Sequence, residues 1–336
     1  MNINLFFRKP YPTAFSIERL FDRLAAIFRE RGVAVNRLEL PQYNNQLGAL
    51  RDNIAWARTQ EKAAPPGTVI NHVTGDVTSV VFGLTGPKVI TFHDCNPLLR
   101  YPKWHPRYWF YRWVIYEWPA RKADAVTVIS EKTRRELLEL TRCGTDNLHV
   151  IPNFVDPAFV HRPREFNAAY PTLLQVGVKA NKNLHRLAAA ISGIPCRLEI
   201  IGQPGPEDVR QLEAQGIDYR AASGLTDEEV RQRYTDCDLL AFVSTYEGFG
   251  LPILEAQMTG RPVVTSNLSP HREVAGADGA ELVDPEDVSS IRAGILRIIE
   301  DPTYREQLIE SGLRNAQTYH IDAIATQYID LYETIL

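Results

Sequence analysis

Short β-branched and apolar runs, each followed by a longer amphipathic stretch, recur along most of this chain of 336 residues. Apolar strands that alternate with helices predict parallel sheets covered by helices on both faces. The runs form two successive sets, so we expect an α/β protein with two doubly wound units. The first set comprises INLFF, VAVNRLEL, TVINHV, KVITFHD, AVTVIS and LHVIP, and the second TLLQVG, CRLEIIG, IDYRAA, DLLAFVS and PVVTS.

The segment NFVDPAFVHRPREFNAAYP between the two sets is rich in proline and asparagine and has little periodicity, which predicts a linker. We place the boundary near residue 165. Residues 1–165 then form the first domain, residues 166–320 the second, and residues 321–336 a final helix. In α/β proteins of two domains, ligands bind at the carboxyl ends of the strands, so a cleft between the domains is the expected site.

Charge is divided unevenly, because residues 1–165 are net basic and the remainder net acidic, although the whole chain carries −4. This division favours an anionic partner for the first domain, with scattered solvated charge as the alternative. No apolar stretch has the length of a membrane-spanning helix, and the N-terminus is apolar for too few residues to be a secretory signal. Four widely spaced cysteines predict reduced thiols in a cytoplasmic protein. We expect no nucleic-acid partner.

The stretch STYEGFGLPILEA follows the run DLLAFVS and leads into a helix. Pro252 suits the first helical turn, while Gly248 and Gly250 let the backbone come close to a ligand. The helix start favours an anion such as a diphosphate. With Pro252 as the first helical residue, Glu255 is the fourth, one position late for a capping box, and its carboxylate suits ribose hydroxyls. Glu247 would accept hydrogen bonds from a sugar. A solvated turn with two surface acids is the alternative.

A second stretch, LLQVGVKANKNLHRLAAA, runs from strand through a short loop to a helix. It places Lys179 and Lys182 at the carboxyl edge of the second sheet, where an ammonium group is well placed to neutralise a phosphate. Lysines are common in loops, so this stretch alone is weak support for a phosphate site.

EGFGLPILEA, with its E-x7-E spacing, resembles the donor-site motif of the retaining GT-B glycosyltransferases of family four. The segments VITFHDCNP, ADAVTVISEKTRREL, HVIPNFVDPAF, VGVKANKNLHRL, GLTDEEVRQRY and PHREVAGADGAELVDPED follow the order of that family. The resemblance covers most of residues 88–300. It implies two Rossmann-like domains facing across a cleft, the first binding the acceptor and the second a nucleotide sugar. Residues 321–336 would cross back to the first domain.

The implied activity is retaining hexosyl transfer from a nucleotide-diphosphate sugar to a polysaccharide or glycolipid acceptor, with no metal or other cofactor. The resemblance places Lys182 at the diphosphate, Glu247 at the transferred sugar and Glu255 at the ribose. The catalytic residues would be His93, Lys182 and Glu247, with His93 positioning the sugar. The donor-binding residues would be Lys179, Lys182, Glu247, Gly248, Phe249, Gly250, Leu251 and Glu255.

This chain departs from the family pattern in two loops. Many members carry an arginine five residues before the lysine, in a loop one residue longer. Gly177 stands at that offset here, which leaves Lys179 as the candidate second cation. Many members also have a Gly-Gly turn after the first strand. Here the segment is RKPYPTAFSIER, in which Arg8, Phe15 and Ser16 are the candidate replacements.

Other functions are weighed against this one. A nucleotide-sugar 2-epimerase shares the fold but needs acids and a histidine arranged to deprotonate the sugar, and no such set is evident. A nucleotide-sugar-binding protein without activity would carry the same motifs. A dehydrogenase is disfavoured because no G-x-G-x-x-G follows a strand. Asp236-Cys237-Asp238 matches a D-x-D metal motif, but Asp238 begins an apolar run, so we reject a metal there.

Residues 100–122, RYPKWHPRYWFYRWVIYEWPARK, are called the aromatic segment below. The segment holds six basic residues, one acid (Glu117) and the tryptophans Trp104, Trp109, Trp113 and Trp118. Basic, aromatic, amphipathic stretches are typical of membrane interfaces, which would make the protein peripheral on the inner membrane face or suited to a lipid-linked acceptor. The alternative is a helix that packs its aromatic side chains onto the first sheet.

Overall fold

A computed structural model describes residues 1–9, 16–43, 47–63 and 69–336. The chain divides into two compact units, and each is described by itself. Unit 1 comprises residues 1–153 and 321–336, and unit 2 comprises residues 154–320.

Unit 1 is built on a six-stranded parallel sheet in the order β2-β1-β3-β4-β5-β6. Inner strand β5 is buried throughout, whereas β2 at the edge is largely exposed. That contrast is expected of a sheet covered by helices on both faces. The strands are β1 (Asn2–Phe7), β2 (Ala34–Glu39), β3 (Val69–Val73), β4 (Lys88–Phe92), β5 (Ala125–Val128) and β6 (Leu148–Val150).

The helices of unit 1 in chain order are α1 (Ser16–Glu30), α2 (Leu47–Ala63), α3 (Asn96–Leu99), α4 (Pro106–Phe110), α5 (Trp118–Lys122) and α6 (Glu131–Leu140). A 3-10 helix covers Thr78–Gly83, and a π-helix, Tyr111–Glu117, joins α4 directly to α5. The aromatic segment is therefore largely helical. Across the described parts of the chain, no helix combines the length and apolarity needed to span a membrane.

Unit 2 holds a second six-stranded parallel sheet, in the order β12-β11-β10-β7-β8-β9. After β7, β8 and β9 have extended the sheet in one direction, the chain returns to pair β10 with the other side of β7. The strands are β7 (Thr172–Val176), β8 (Arg197–Ile201), β9 (Asp218–Ala222), β10 (Leu239–Phe242), β11 (Val263–Ser266) and β12 (Glu281–Val283). The sheets confirm the predicted α/β class.

The helices of unit 2 are α7 (Leu184–Ile191), α8 (Pro206–Ala214), α9 (Asp227–Asp236), α10 (Leu251–Thr259), α11 (His271–Ala275), α12 (Val288–Glu300) and α13 (Pro302–Gln317). The chain then returns to unit 1 as α14 (Ile321–Thr334). There Tyr332 is fully buried, and its hydroxyl oxygen lies 2.6 Å from Nδ1 of His72 on β3. Nε2 of His72 lies 2.8 Å from the hydroxyl of Thr91 on β4. This buried polar chain joins the last helix to the first sheet.

The division between the units falls between Asn153 and Phe154, earlier in the chain than the predicted position near residue 165. The intervening residues belong to unit 2 because they pack there. Val155 donates its N–H to the carbonyl of Tyr319, and the ring of Phe159 lies edge-on to Tyr234. Proline and asparagine content therefore indicates an irregular segment here, but it does not locate the residue at which the chain passes from unit 1 to unit 2.

Candidate functional site

Two strand-to-helix loops meet at the point in unit 2 where the strand order reverses. The loop between β7 and α7 and the loop between β10 and α10 follow neighbouring parallel strands, which pair Leu173 with Leu239. The helices that follow such strands leave the sheet edge in opposite directions, and the crevice between them is the usual ligand site of a doubly wound sheet. The two predicted stretches of unit 2 occupy these two loops.

The loop after β7 is held in one conformation by buried amides. Asn183 is fully buried in the left-handed region at φ 61°, and its Nδ2 donates to the carbonyls of Val243 at 2.9 Å and Pro285 at 2.7 Å. Nε2 of Gln175 donates to the carbonyl of Lys182 at 2.9 Å. The backbone at Lys182 is therefore fixed from two sides before any ligand binds.

Asn181 joins the two loops. Its Nδ2 donates to the carbonyl of Tyr246 at 2.8 Å, and its own carbonyl accepts from the N–H of Thr245 at 2.8 Å. Gly250 then adopts φ 119°, a conformation that favours glycine, and α10 begins at Leu251. Because the helix begins one residue before Pro252, Glu255 is its fifth residue rather than the predicted fourth, which is further from a capping-box position.

Lys182 and Glu247, predicted from separate loops, form an ion pair. Nζ of Lys182 lies 2.6 Å from Oε1 of Glu247, and both side chains are largely shielded from solvent. The ammonium group also lies 4.8 Å from the ring centroid of Phe242, the last residue of β10. A cation and a carboxylate thus lie together in the two loops that lead into α7 and α10, where an anion and a polyhydroxyl group would find complementary partners.

Glu255 accepts a hydrogen bond from Tyr234, a residue that the sequence patterns did not single out. The hydroxyl of Tyr234, which is fully buried at the end of α9, donates to Oε2 of Glu255 at 2.5 Å. Glu255 retains some exposed surface, but burial of its carboxyl raises the pKa to about 7, opposed by the Tyr234 hydrogen bond. Tyr234 is the last residue of the stretch GLTDEEVRQRY. The family resemblance covers this stretch as a whole and assigns no role to any single residue in it.

The remaining donor-site candidates differ in which of their atoms are exposed to a ligand. The ring of Phe249 is buried against Tyr319 at 5.9 Å, so only its backbone is available beside Gly248 and Gly250. Lys179 is exposed, and within the described residues its ammonium group forms no ion pair. Lys179 stays a candidate for the second cation on grounds of position alone.

The backbone conformation and packing at Gly177 disfavour an arginine at this position. Its φ is +86°, and a Cβ atom there would lie 3.0 Å from Cε and 3.2 Å from Cγ of Lys182. The lysine stem packs directly over the glycine. A larger residue would have to displace the side chain that forms the ion pair with Glu247.

In unit 1, Arg8 follows β1 and is already engaged by acids. Its Nε donates to Glu18 at 2.7 Å and its Nη1 to Asp76 at 2.8 Å. A phosphate at Arg8 would have to compete with both carboxylates. Ser16 is the first residue of α1, but its side chain and the whole of Phe15 lie outside the described residues.

His93 directly follows β4 and lines a pocket of about 230 Å³ in unit 1. Its Nε2–H donates to the carbonyl of Thr74 at 2.8 Å, which leaves Nδ1 of the neutral ring as an acceptor. Burial lowers the pKa of His93, so the neutral ring is favoured. The pocket walls also include Asp94, with Phe110 and Tyr116 from the aromatic segment.

Asp238, rejected above as a metal ligand, has a structural role. The carboxyl group is buried and accepts from the backbone N–H groups of Thr172 at 2.8 Å and Asn167 at 3.1 Å. Arg164 approaches it at 3.4 Å. These bonds fix the chain entering β7 to the start of β10.

Comparison with known proteins identifies the family of the chain. The family model described as glycosyl transferases group 1 matches residues 159–314, and the model described as glycosyltransferase family 4 matches residues 15–159. O-antigen chain mannosyltransferase B of Escherichia coli is 29% identical over 272 residues, covering 74% of this chain and 70% of that protein. The MMP alpha-(1->4)-mannosyltransferase of Mycolicibacterium hassiacum is 28% identical over 226 residues, 64% of this chain but only 55% of that protein.

Solved structures show the same fold over nearly the whole chain. Sucrose-phosphate synthase from Thermosynechococcus elongatus superposes with a TM-score of 0.81 at 18% identity, covering 99% of this chain and 98% of that one. Anabaena Alr3699/HepE, solved in complex with UDP and glucose, superposes with a TM-score of 0.79 at 16% identity, covering 99% and 100%. The two family models together span residues 15–314, and the chain belongs to the group 1 glycosyltransferases of family four, with the GT-B fold.

Proposed function

We propose that this protein transfers a hexosyl unit from a nucleotide-diphosphate sugar to a glycan or lipid-linked acceptor with retention of configuration. The observation that carries the proposal is the ion pair of Lys182 with Glu247, which joins the two loops at the strand-order reversal, the second of which leads into α10. This pair supports the proposal because an ammonium group suited to a diphosphate lies next to a carboxylate suited to sugar hydroxyls.

Each part of the donor has a partner of suitable chemistry in unit 2. Lys182 and the N–H groups at the start of α10 would bind the diphosphate, which carries the charge that a helix N-terminus favours. Glu255, one turn along the same helix, would accept hydrogen bonds from the ribose hydroxyls. Glu247 and the backbone of Gly248 to Gly250 would contact the sugar.

Breaking the bond between sugar and phosphate builds positive charge on the sugar ring and negative charge on the leaving diphosphate. A fixed lysine and helix end stabilise the leaving group without reorganising, and one such contact typically lowers a barrier by about 3–4 kcal/mol. Retention follows if the acceptor attacks from the face that the diphosphate leaves, with a phosphate oxygen taking the acceptor proton. No dedicated base is then needed, so His93 would position the sugar through its ring nitrogen rather than act as a base.

The transferred sugar is proposed from the similar proteins. Two relatives reported above are named as mannosyltransferases, so mannose is the first hexose to test, with glucose as the comparison. We further propose that the acceptor is a growing polysaccharide or a glycolipid and that the protein acts in the cytoplasm, peripheral on the inner membrane face.

A thermal-shift screen against mannose and glucose derivatives of UDP, GDP, ADP and dTDP would identify the donor. Transfer and slow donor hydrolysis would then be measured with the best binder. We expect Lys182→Ala to lower turnover by a factor on the order of 10² to 10³, the effect of losing one contact to developing charge. The control Arg210→Ala removes an exposed cation on α8, outside both site loops, and should have a much smaller effect. Equal loss in both variants, or wild-type turnover in Lys182→Ala, would contradict the proposed site.

A further inference from the structure

The aromatic segment exposes an unusual amount of large apolar surface. Trp104 is 81% exposed, Trp118 48% and Trp113 42%, and Phe110 is exposed beside them. Large apolar side chains gathered in one exposed region mark an interaction surface more often than singly scattered ones do.

The π-helix aligns these tryptophans. A helix closed by i→i+5 bonds brings residues five apart to the same face, and π-helices occur frequently at functional sites. The rings of Trp113 and Trp118 stack with centroids 6.2 Å apart and an interplanar angle of 10°. Trp109 and Trp113 lie 5.0 Å apart. The three rings therefore form a continuous row along one side of the segment.

The opposite side of the segment anchors it to unit 1. Tyr108, Tyr116 and Ala120 are buried in the core of the unit, and the hydroxyl of Thr78 donates to the carbonyl of Ile115 at 2.6 Å. Packing onto the sheet, the alternative raised from the sequence, therefore involves these residues together with the partly buried Trp109. The more exposed tryptophans, Trp104, Trp113 and Trp118, are not part of that core cluster.

The exposed charge of the segment is basic. Its single acid, Glu117, is buried and has Arg112 at 3.3 Å and Arg121 at 3.4 Å as ion-pair partners. The N–H of Arg142 also donates to this carboxyl group. The cations left on the surface of the segment are Arg100, Lys103, Arg107 and Lys122.

We propose that the aromatic segment binds the surface of an anionic lipid bilayer, with the tryptophans in the interfacial layer and the basic side chains at the lipid phosphates. Tryptophan favours the interface because its ring is apolar while its N–H can still be hydrated. Basic side chains add attraction to anionic headgroups. The exposed rings match the bilayer interface in polarity. The exposed cations match its charge, because the one acid of the segment, Glu117, is buried and paired.

This inference deepens the proposed function by naming a partner. Phe110 and Tyr116 of the segment also line the pocket beside His93, so a bilayer-bound protein would have that pocket close to a lipid-linked acceptor. Only this step rests on the proposed sugar transfer. Bilayer binding itself is measured without donor or turnover, so the two proposals fail separately.

The first test is co-sedimentation of the whole protein with vesicles. We expect binding to vesicles that contain phosphatidylglycerol and much weaker binding to phosphatidylcholine alone, with loss at high salt. Each basic residue near an anionic surface contributes about fivefold, so Arg100→Glu with Lys103→Glu should reduce binding at least about tenfold. The control Arg51→Glu with Arg58→Glu makes the same charge change at exposed positions of α2 and should bind as the wild type does. Wild-type protein that stays in the supernatant with both vesicles, or equal binding by the two double variants, overturns the proposal.

The second test measures the tryptophans directly. Four of the five tryptophans of the chain lie in the aromatic segment, so intrinsic fluorescence mainly reports this surface. Phosphatidylglycerol with brominated acyl chains should quench the emission if the rings enter the interface. Trp113→Ala with Trp118→Ala should lower the quenched fraction, and both side chains are exposed enough for the variant to fold. Vesicle binding without any quenching overturns insertion of the rings.

Discussion

Among single residues, Glu255 has the clearest consequence for pH dependence. Burial raises its pKa to about 7, and only the ionised carboxylate is a pure acceptor for two ribose hydroxyls. As pH falls through about 7, a growing fraction of the free protein is protonated at this group. We therefore expect nucleotide affinity to fall by up to about tenfold per pH unit on the acid side, measured by calorimetric titration with the nucleoside diphosphate.

Two variants test whether Glu255 causes this dependence. Glu255→Gln should bind more weakly at all pH values and show no midpoint near 7. Tyr234→Phe removes the hydroxyl whose hydrogen bond lowers the pKa of Glu255, so the midpoint should move to higher pH. A wild-type affinity that is flat between about pH 6 and pH 8 would refute the assignment of Glu255 to the ribose.

The Lys182–Glu247 ion pair predicts effects of opposite sign on binding and turnover. Lys182 must exchange part of its contact with Glu247 for a phosphate, so Glu247→Gln should free the ammonium group. We expect free nucleoside diphosphate to bind roughly fivefold more tightly, the worth of a pair of about 1 kcal/mol, while turnover falls because the sugar loses its acid. Glu213→Gln, at an exposed position on α8, is the matched control. Weaker nucleotide binding in Glu247→Gln would show that the pair supports the site rather than competing for it.

At the scale of elements, the loop after β7 depends on Gly177. Gly177→Ala should cost about 1–2 kcal/mol of stability from the left-handed backbone and, in addition, displace the Lys182 side chain. Gly193→Ala is the matched control, because φ is +75° there but nothing lies within 4 Å of the added Cβ. Both should lower the melting temperature, and only Gly177→Ala should weaken donor binding. Equal donor binding in the two variants would mean that the lysine stem adjusts without cost.

Most elements could be predicted from the sequence because their apolar runs are long enough to read. Strand β12, Glu281–Val283, was missed because it begins with a charged residue and is followed by acids, whereas the equally short β6 lies in the longer apolar run LHVIP. The site loops were found from glycine, proline and charge near strand ends. Asn181 and Asn183 were not, because their amides act through backbone carbonyls of residues distant in the chain, which only the folded loops bring together. The same is true of Tyr234.

At the scale of the whole molecule, the two units contain buried groups with opposite responses to acid. His72 in unit 1 is fully buried, and burial lowers its pKa from 6.5 to about 3. The unfolded chain gains a proton there below pH 6.5 while the folded chain does not, so unit 1 loses stability as pH falls through this window. Glu255 in unit 2 has a raised pKa, from 4.5 to about 7. The folded form keeps its proton where the unfolded form has released it, so unit 2 gains stability as pH falls from 7 toward 4.5.

Acidification from about pH 7.5 to about pH 5 should therefore lower the stability of unit 1 and raise that of unit 2. We expect a change of about 2 kcal/mol in each, because each group binds its proton differently in the folded and unfolded chain over about one to two pH units. Hydrogen exchange, corrected for the intrinsic effect of pH and read by peptide, separates the units because each opens with its own free energy. Protection should fall in β3 and β4, which hold His72 and Thr91, and rise in α9 and α10, which hold Tyr234 and Glu255. Glu255→Gln should abolish the rise in unit 2 and leave the fall in unit 1. A fall in both units of the wild-type protein would mean that Glu255 is ionised in the folded state, which would remove the basis for the pH dependence of nucleotide binding as well.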